Sequence, residues 1–277
     1  MAERTTPGTR VALTIGGSDS SGAGGIQADL KTFAVMDVYG ASVLTAVTAQ
    51  NTRAIKATIF MDKDLVEQQI DVIASDIGVH ATKVRITDQP ALVQSVARSL
   101  QRHSLFPLVV DPAMTTKTGD NSEDDATITA LCRHLLPFAA ITTPNRVEAT
   151  RMLGRSAPIE DLYGAKDAAV ELCRRFKVPA CVITGIHRPS DEEGDAVDLY
   201  FDGREDHELV SDWRPTSNTR GAGDTFSAAI TASLALGESL DDAVQTAKRV
   251  VSESIRQATD LGQGDSPVNP LAYAHVS

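Results

Sequence analysis

The sequence predicts an α/β protein: a mostly parallel central sheet with helices on both faces and a few antiparallel strands. Two observations carry that class. Short apolar runs alternate with segments of helical spacing from residue 11 to residue 184, the pattern of strand–helix units that build a parallel sheet. Two later strand-like runs, joined through Asp202-Gly203, then add antiparallel strands. Neither an internal repeat nor a linker divides the 277 residues, so one domain over 1–277 is expected, with 1–9 as a loose polar tail.

The elements follow in order. Val11 to Ile15 is a buried first strand that ends in Gly16-Gly17, and Ser18 to Gly25 is a loop dense in turn formers. Ile26, Leu30 and Phe33 recur at helical spacing in Ile26 to Met36. Ser42 to Ala49 reads as a strand leading into Gln50-Asn51-Thr52, and Leu65 to Ile77 as a helix. Thr82 to Ile86 is a short strand, 91–102 a helix, and Pro107 to Pro112 a buried strand closing on Asp111. After a polar loop over 113–125, Ile128, Leu131 and Leu135 mark a helix, and Ala139 to Thr142 a strand. Asn145 and Glu148 open the next helix at the spacing of a capping box. An amphipathic helix over 161–177 precedes a strand from Pro179 to Thr184 and an acidic turn over 191–195. Val197 to Phe201 and His207 to Val210 form the hairpin-type pair, helices fill 225–236 and 240–259, and a tail with Gly and Pro closes the chain.

Composition narrows the function. A net charge of −11 argues against a nucleic-acid surface, which needs a basic patch. No apolar run approaches ~18 residues, so no membrane span is expected. Three cysteines without a CxxC read as buried thiols of a protein kept in a reducing cytoplasm. The first Gly-rich loop fits neither the P-loop nor the dinucleotide fingerprint, yet it follows the carboxyl end of a strand, where open α/β sheets bind ligands.

The most informative stretch is Asn218 to Ala229. Gly221, Ala222 and Gly223 lead into a small-residue helix, whose N-terminal N–H groups and dipole attract anions. Asp224 falls in the first turn, where a carboxylate suits general-base work on a hydroxyl. By itself, an Asp at a helix start is usually only an N-cap or a dipole partner. Asp111 is a loop cap or a site residue, and Asn145 with Glu148 offers either a cap or oxygen ligands for a hard cation.

Six motifs, in order, resemble the ribokinase-like superfamily, in particular its vitamin-kinase branch of hydroxymethylpyrimidine phosphate kinases and pyridoxal kinases. They are Gly17 to Gly22, Gly25 to Thr32, Ala49 to Thr52, Val110-Asp111-Pro112, Thr143-Pro144-Asn145 with Glu148, and Asn218-Thr219 leading to Gly221. The resemblance runs from about Val11 to about Ala258. It implies a ribokinase-like fold and transfer of the ATP γ-phosphate to a primary hydroxyl, with Mg²⁺. On that resemblance Gly221, Ala222 and Gly223 form the anion hole and Asp224 is the base. Gly17, Asp19, Gln50, Arg85 and Ile86 face the substrate, Thr184 and Lys248 the nucleotide, and Asp111, Asn145 and Glu148 support the metal. A homodimer is also implied.

Three positions depart from the branch. The pyrimidine kinases usually carry a cysteine where this chain has Asp224, and GAGD resembles sugar-kinase and pyridoxal-kinase versions. They read Lys-Ile-Gly-Met where this chain has Lys83-Val84-Arg85-Ile86, so Arg85 either crowds the ring pocket, supplies a cation to an acidic substrate, or is a surface residue. A Lys-Gly-Gly-His stretch is usual in place of Thr184-Gly185-Ile186-His187. The expected substrate is therefore hydroxymethylpyrimidine or its monophosphate, with pyridoxal as the alternative and a non-catalytic ligand-binding protein as the reading from another class.

Overall fold

The computed structural model describes residues 8–86, 89–112, 122–187, 195–212 and 216–275. The expectations for most of the N-terminal tail, for 113–121 of the polar loop and for 191–194 of the acidic turn lie outside the described residues. The first half of the chain runs β1 (Val11–Asp19), α1 (Gly25–Val35), β2 (Tyr39–Gln50), β3 (Ile55–Phe60), α2 (Lys63–Asp76), β4 (Ala81–Arg85) and α3 (Pro90–Arg102). Next come β5 (Leu108–Val110), α4 (Ser122–His134), β6 (Ile141–Thr142), α5 (Arg146–Leu153) and α6 (Leu162–Phe176). The chain finishes with β7 (Cys181–His187), β8 (Asp195–Phe201), β9 (Asp206–Asp212), α7 (Ala222–Leu236) and α8 (Leu240–Arg256).

These elements fall into two compact units, each assembled from separate stretches of sequence: one from 1–85, 95–108 and 217–277, the other from 86–94 and 109–216. In the first, the strand order is β3-β2-β1-β4. β1 pairs in parallel with β2 and β4, and β3 runs antiparallel on β2. Val11 through Ile15 and Ala81 through Val84 are buried without alternation, the mark of parallel strands covered on both faces. α1 packs on β1 and β2, α7 on β4 and α1, and α8 on α7. In the second unit the order is β5-β6-β7-β8-β9, parallel through β7 and antiparallel beyond it.

The expected class is the observed one, with several boundaries moved. β1 continues through the two glycines to Asp19, and its register against β2 shifts between Gly16 and Gly17. Such an irregularity beside a binding loop re-aims the chain. β3 was not expected: its six residues are all exposed, so no buried face imposes an alternating pattern on the sequence. The strand expected from Ala139 shortens to Ile141–Thr142, because a 3₁₀ turn over Leu136–Phe138 precedes it. A further 3₁₀ segment, Pro270–His275, lies in the expected tail. The three cysteines are buried, as expected, and burial pushes the Cys132 and Cys173 thiols up to about 12.

Candidate active site

α7 is the helix on which the first unit's polar residues converge. It is buried continuously from Asp224 to Ser233, so its sequence is small residues rather than an amphipathic stripe. Ser227 and Thr231 remain compatible with that burial by donating to the carbonyls four residues earlier, each at 2.8 Å. The helix begins one turn sooner than its apolar run suggests, with Gly221 as N-cap at φ 81°. A Cβ there would lie 1.9 Å from the Ala23 carbonyl oxygen, so both the left-handed backbone and the close approach require glycine.

No side chain caps this helix. The Ala222 N–H donates to the Thr219 carbonyl at 3.0 Å, which removes it from the anion hole expected of residues 221–223. Among the described residues the N–H groups of Gly223 and Asp224 meet no acceptor, and the space above Gly223 is open. An anion seated at this terminus would thus be held by the amides of Gly223 and Asp224.

Asp224 is almost wholly buried, and its Oδ1 lies 3.3 Å from Arg85 Nε and 3.4 Å from Lys83 Nζ. Lys83 Nζ also donates to the Asp224 backbone carbonyl at 3.1 Å. Burial alone would push the Asp224 carboxyl up; Arg85, then Lys83 and the Gly25 N–H, outweigh it and hold the group below the usual carboxylate range. It is ionised at neutral pH, as a base must be. Its second oxygen sits beside Gly24, where a Cβ would come within 3.1 Å of Asp224 Oδ2 and 3.6 Å of Asp19 Oδ2.

Beneath this lies a pair that the motifs did not reveal. Lys83 Nζ contacts Asp29 Oδ1 at 2.5 Å, both side chains being out of reach of solvent, and the Thr14 hydroxyl donates to Asp29 Oδ2 at 2.6 Å. Burial, opposed by Lys83 and reinforced by the Asp224 charge, raises the Asp29 carboxyl to about 6. The sequence did carry a signal: Asp29 falls on the Ile26–Leu30–Phe33 face, and Lys83 interrupts an apolar strand. A buried charge in such a place needs a partner.

The loop after β1 closes the same arrangement. Asp19 Oδ1 accepts from the Ser21 N–H and hydroxyl at 2.8 and 2.7 Å, and Oδ2 accepts from the Gly24 N–H at 3.1 Å. Gln50 Nε2 reaches the same Oδ2 at 3.3 Å, and Arg220 Nη2 stands 4.0 Å from it. Gly17 lies in β1 beside Ala46 of β2. So Gly17, Asp19, Gln50, Arg85, Asp224 and the 221–223 loop belong to one neighbourhood at the carboxyl ends of β1, β2 and β4, the place where open α/β sheets bind ligands. Lys248 is buried on α8 in the same unit, and Ile86 is fully buried.

In the second unit, Asp111 and Asn145 follow β5 and β6 at their carboxyl ends, whereas Thr184 lies inside β7, which runs past the expected end to His187. Asp111 and Glu148 are both buried. The capping box is present: Asn145 Oδ1 accepts from the Val147 and Glu148 N–H groups, each at 2.9 Å, and the Asn145 N–H donates to Glu148 Oε2 at 2.8 Å. Thr184 pairs with Asn145 through its N–H to the Pro144 carbonyl, at 3.0 Å. The two carboxylates suit a hard cation, but among the described residues no group of three or more acids, histidines or cysteines could cage one.

Comparison with known proteins shows the family. The pattern of the family described as phosphomethylpyrimidine kinase matches residues 19–269. The hydroxymethylpyrimidine/phosphomethylpyrimidine kinase of Rhizobium meliloti (strain 1021) is 40% identical over 263 residues, covering 94% of this chain and 97% of that protein. The thiamine biosynthesis bifunctional protein ThiED of Geobacter sulfurreducens is 39% identical over 262 residues; 95% of this chain is covered, but the chain spans only 52% of that protein. Among solved structures, the ADP complex of Bacillus subtilis pyridoxal kinase superposes with a TM-score of 0.87 at 34% identity, over 95% of this chain and 98% of that one. The chain belongs to the phosphomethylpyrimidine kinase family of phosphotransferases and has the α/β fold of the vitamin kinases.

Proposed function

We propose that this chain transfers the γ-phosphoryl group of ATP to the hydroxymethyl group of a heteroaromatic vitamin precursor, or to the phosphate already esterified there. The favoured acceptor is hydroxymethylpyrimidine or its monophosphate, in thiamine biosynthesis. The observation that carries the reading is an ionised Asp224 in the first turn of α7, next to two backbone N–H groups without acceptors. Phosphoryl transfer asks a protein mainly for positioning and charge stabilisation, and these are what such a terminus offers.

In this scheme Asp224 takes the hydroxyl proton of an alcohol acceptor as the new O–P bond forms. The amides of Gly223 and Asp224 hold the transferring group, with Gly221 and Ala222 fixing the turn that aims them. Gly17, Asp19, Gln50 and Ile86 shape the acceptor's seat, and Thr184 and Lys248 serve the nucleotide. Asp111, Asn145 and Glu148 would hold Mg²⁺ through water and phosphate oxygens, consistent with a cation that binds one or two carboxylates and keeps much of its water. When bound, such an ion would supply positive charge that neutralises phosphate oxygens. A cytoplasmic location, a homodimer and one domain over 1–277 complete the reading.

Pyridoxal is the second acceptor to consider, favoured by the Asp at 224 and by the likeness to a pyridoxal kinase structure. ADP release measured over a panel of hydroxymethylpyrimidine, its monophosphate, pyridoxal and pyridoxine decides between them. Turnover of the pyrimidines is expected; turnover of pyridoxal alone reverses the order, and ligand binding without ADP release from any of them removes the kinase assignment.

A further inference from the structure

Two residues singled out in the sequence meet in space. Arg85 and Asp224 make one side-chain contact at 3.3 Å. Among the described residues, Lys83 and Arg85 both face Asp224, and Lys83 also faces Asp29. The two cations are not equivalent. Lys83 has no exposed surface and is held at 2.5 Å by Asp29, whereas the Arg85 side chain is 28% exposed at the carboxyl end of β4.

A carboxylate is useful beside an alcohol and harmful beside a phosphate. An alcohol must lose its proton to attack, and Asp224 can accept it. A phosphate monoester attacks through an oxygen that is already ionised, so it needs no base, and a nearby carboxylate only repels it. Guanidinium carries five donors in a planar fork, which can hold a carboxylate and a phosphate at once.

We propose that Arg85 is the residue that sets acceptor specificity: it offsets the Asp224 charge and holds the phosphate of an incoming monoester, so that the chain favours a phosphorylated acceptor over the free alcohol. This rests on the phosphotransferase reading above. In the step it serves, an anionic oxygen of the monoester attacks the γ-phosphorus of ATP. The new O–P bond forms, the bond from that phosphorus to the bridging oxygen breaks, and the electron pair leaves with ADP. The products are ADP and a diphosphate ester. Arg85 acts through binding and charge and gives up no proton.

The test compares wild type, Arg85→Gly and Arg85→Lys on hydroxymethylpyrimidine and on its monophosphate, with ATP saturating. Arg85→Gly should lower the ratio of kcat/KM for monophosphate to that for alcohol by roughly tenfold or more, the loss of one charge-assisted hydrogen bond. Most of the change should be in the KM of the monophosphate, and Arg85→Lys should recover part of it. Titration calorimetry of the monophosphate, without nucleotide, should show a parallel loss of affinity. An equal fall on both acceptors would mean a structural role, and an unchanged ratio no role; either overturns the proposal while leaving the kinase reading intact. ADP release by wild type with neither acceptor overturns both. If Arg85→Gly does not fold, the Arg85→Lys ratio decides, because a lysine that leaves the ratio unchanged removes the argument from the guanidinium fork.

Discussion

As the proposed base, Asp224 has to be ionised to accept a proton, yet it is almost wholly buried. The structure resolves the conflict with two cations, one partly exposed at a strand end and one buried. Replacing Asp224 by Asn removes the base and keeps the shape, so kcat on an alcohol acceptor should fall by about 10²–10⁴-fold. Nucleotide affinity should stay close to wild type; steady-state kinetics together with an ADP titration checks both. Lys83 is a different kind of residue. Removing one partner from a buried ion pair leaves an uncompensated charge, so Lys83→Met should cost about 3–5 kcal/mol in a urea unfolding experiment, and Asp29→Asn in that background should restore part of it. The pair also sets a pH dependence. The Asp29 carboxyl is raised from 3.8 to about 6 on folding, so its contribution is present in full below the unfolded value and is lost as pH rises through the folded one. The stability of wild type relative to Asp29→Asn should therefore shrink from about pH 4 to about pH 7. Asp224, shifted downward, works in the opposite sense, with its contribution lost as pH falls below the ordinary carboxylate range. These residues also mark what was legible in advance. Asp224 stood out because glycines and a helix start announce it locally. Lys83 and Asp29 are 54 positions apart, and no local pattern pairs them. Arg85 and Asp224 were each noticed, but their contact was not.

Among the elements, α7 shows how sequence and site are joined. Its small residues allow close burial, its N-cap glycine accepts a left-handed backbone, and the turn before it consumes one N–H and leaves two for a ligand. Gly221→Ala would add a Cβ against the Ala23 carbonyl at a residue held at φ 81°. We expect a loss of more than about 2 kcal/mol in thermal unfolding, from strain and overlap together, and a drop in turnover even at temperatures where the variant is folded. Turnover and melting temperature like wild type's would show that the loop has another way to close. The strands at the parallel positions could be read from uninterrupted apolar runs, because burial on both faces imposes them. β3 could not, since an edge strand with every residue exposed is under no such constraint. The pair Asn145 and Glu148 was legible as a cap, and the structure has that cap. Whether the same oxygens serve a cation is a matter of chemistry that spacing does not encode.

At the scale of the molecule, each unit is discontinuous in sequence: residues 86–94 and 109–216 form one, and the stretches before, between and after form the other. A single domain was expected, because no change of composition marks a boundary. Differential scanning calorimetry tests the proposal directly. One cooperative transition, moved upward as a whole by ADP at about 100 times its Kd through roughly 2.7 kcal/mol of linkage, is the outcome expected of one domain. Two transitions, only one of them shifted by nucleotide, would mean that the units are separate domains. The charge of −11 was informative in what it disfavoured, and it concealed two cations beside Asp224, because a net charge sums over the very contacts that matter.

The contact between Gly221 and the Ala23 carbonyl has a consequence for synthesis. The chain is made from its N-terminus, and the loop at residues 18–25 leaves the ribosome about 200 residues before the turn that completes it, an interval of roughly 10–40 s at ordinary elongation rates. Through that time Asp19 can organise its own loop, but Lys83 and Asp29 face a gap where Asp224 will stand. The candidate-site end of the first unit is therefore closed by residues 221–224, and a ribosome-bound fragment ending before α7 should bind no acceptor, whatever secondary structure it has already gained.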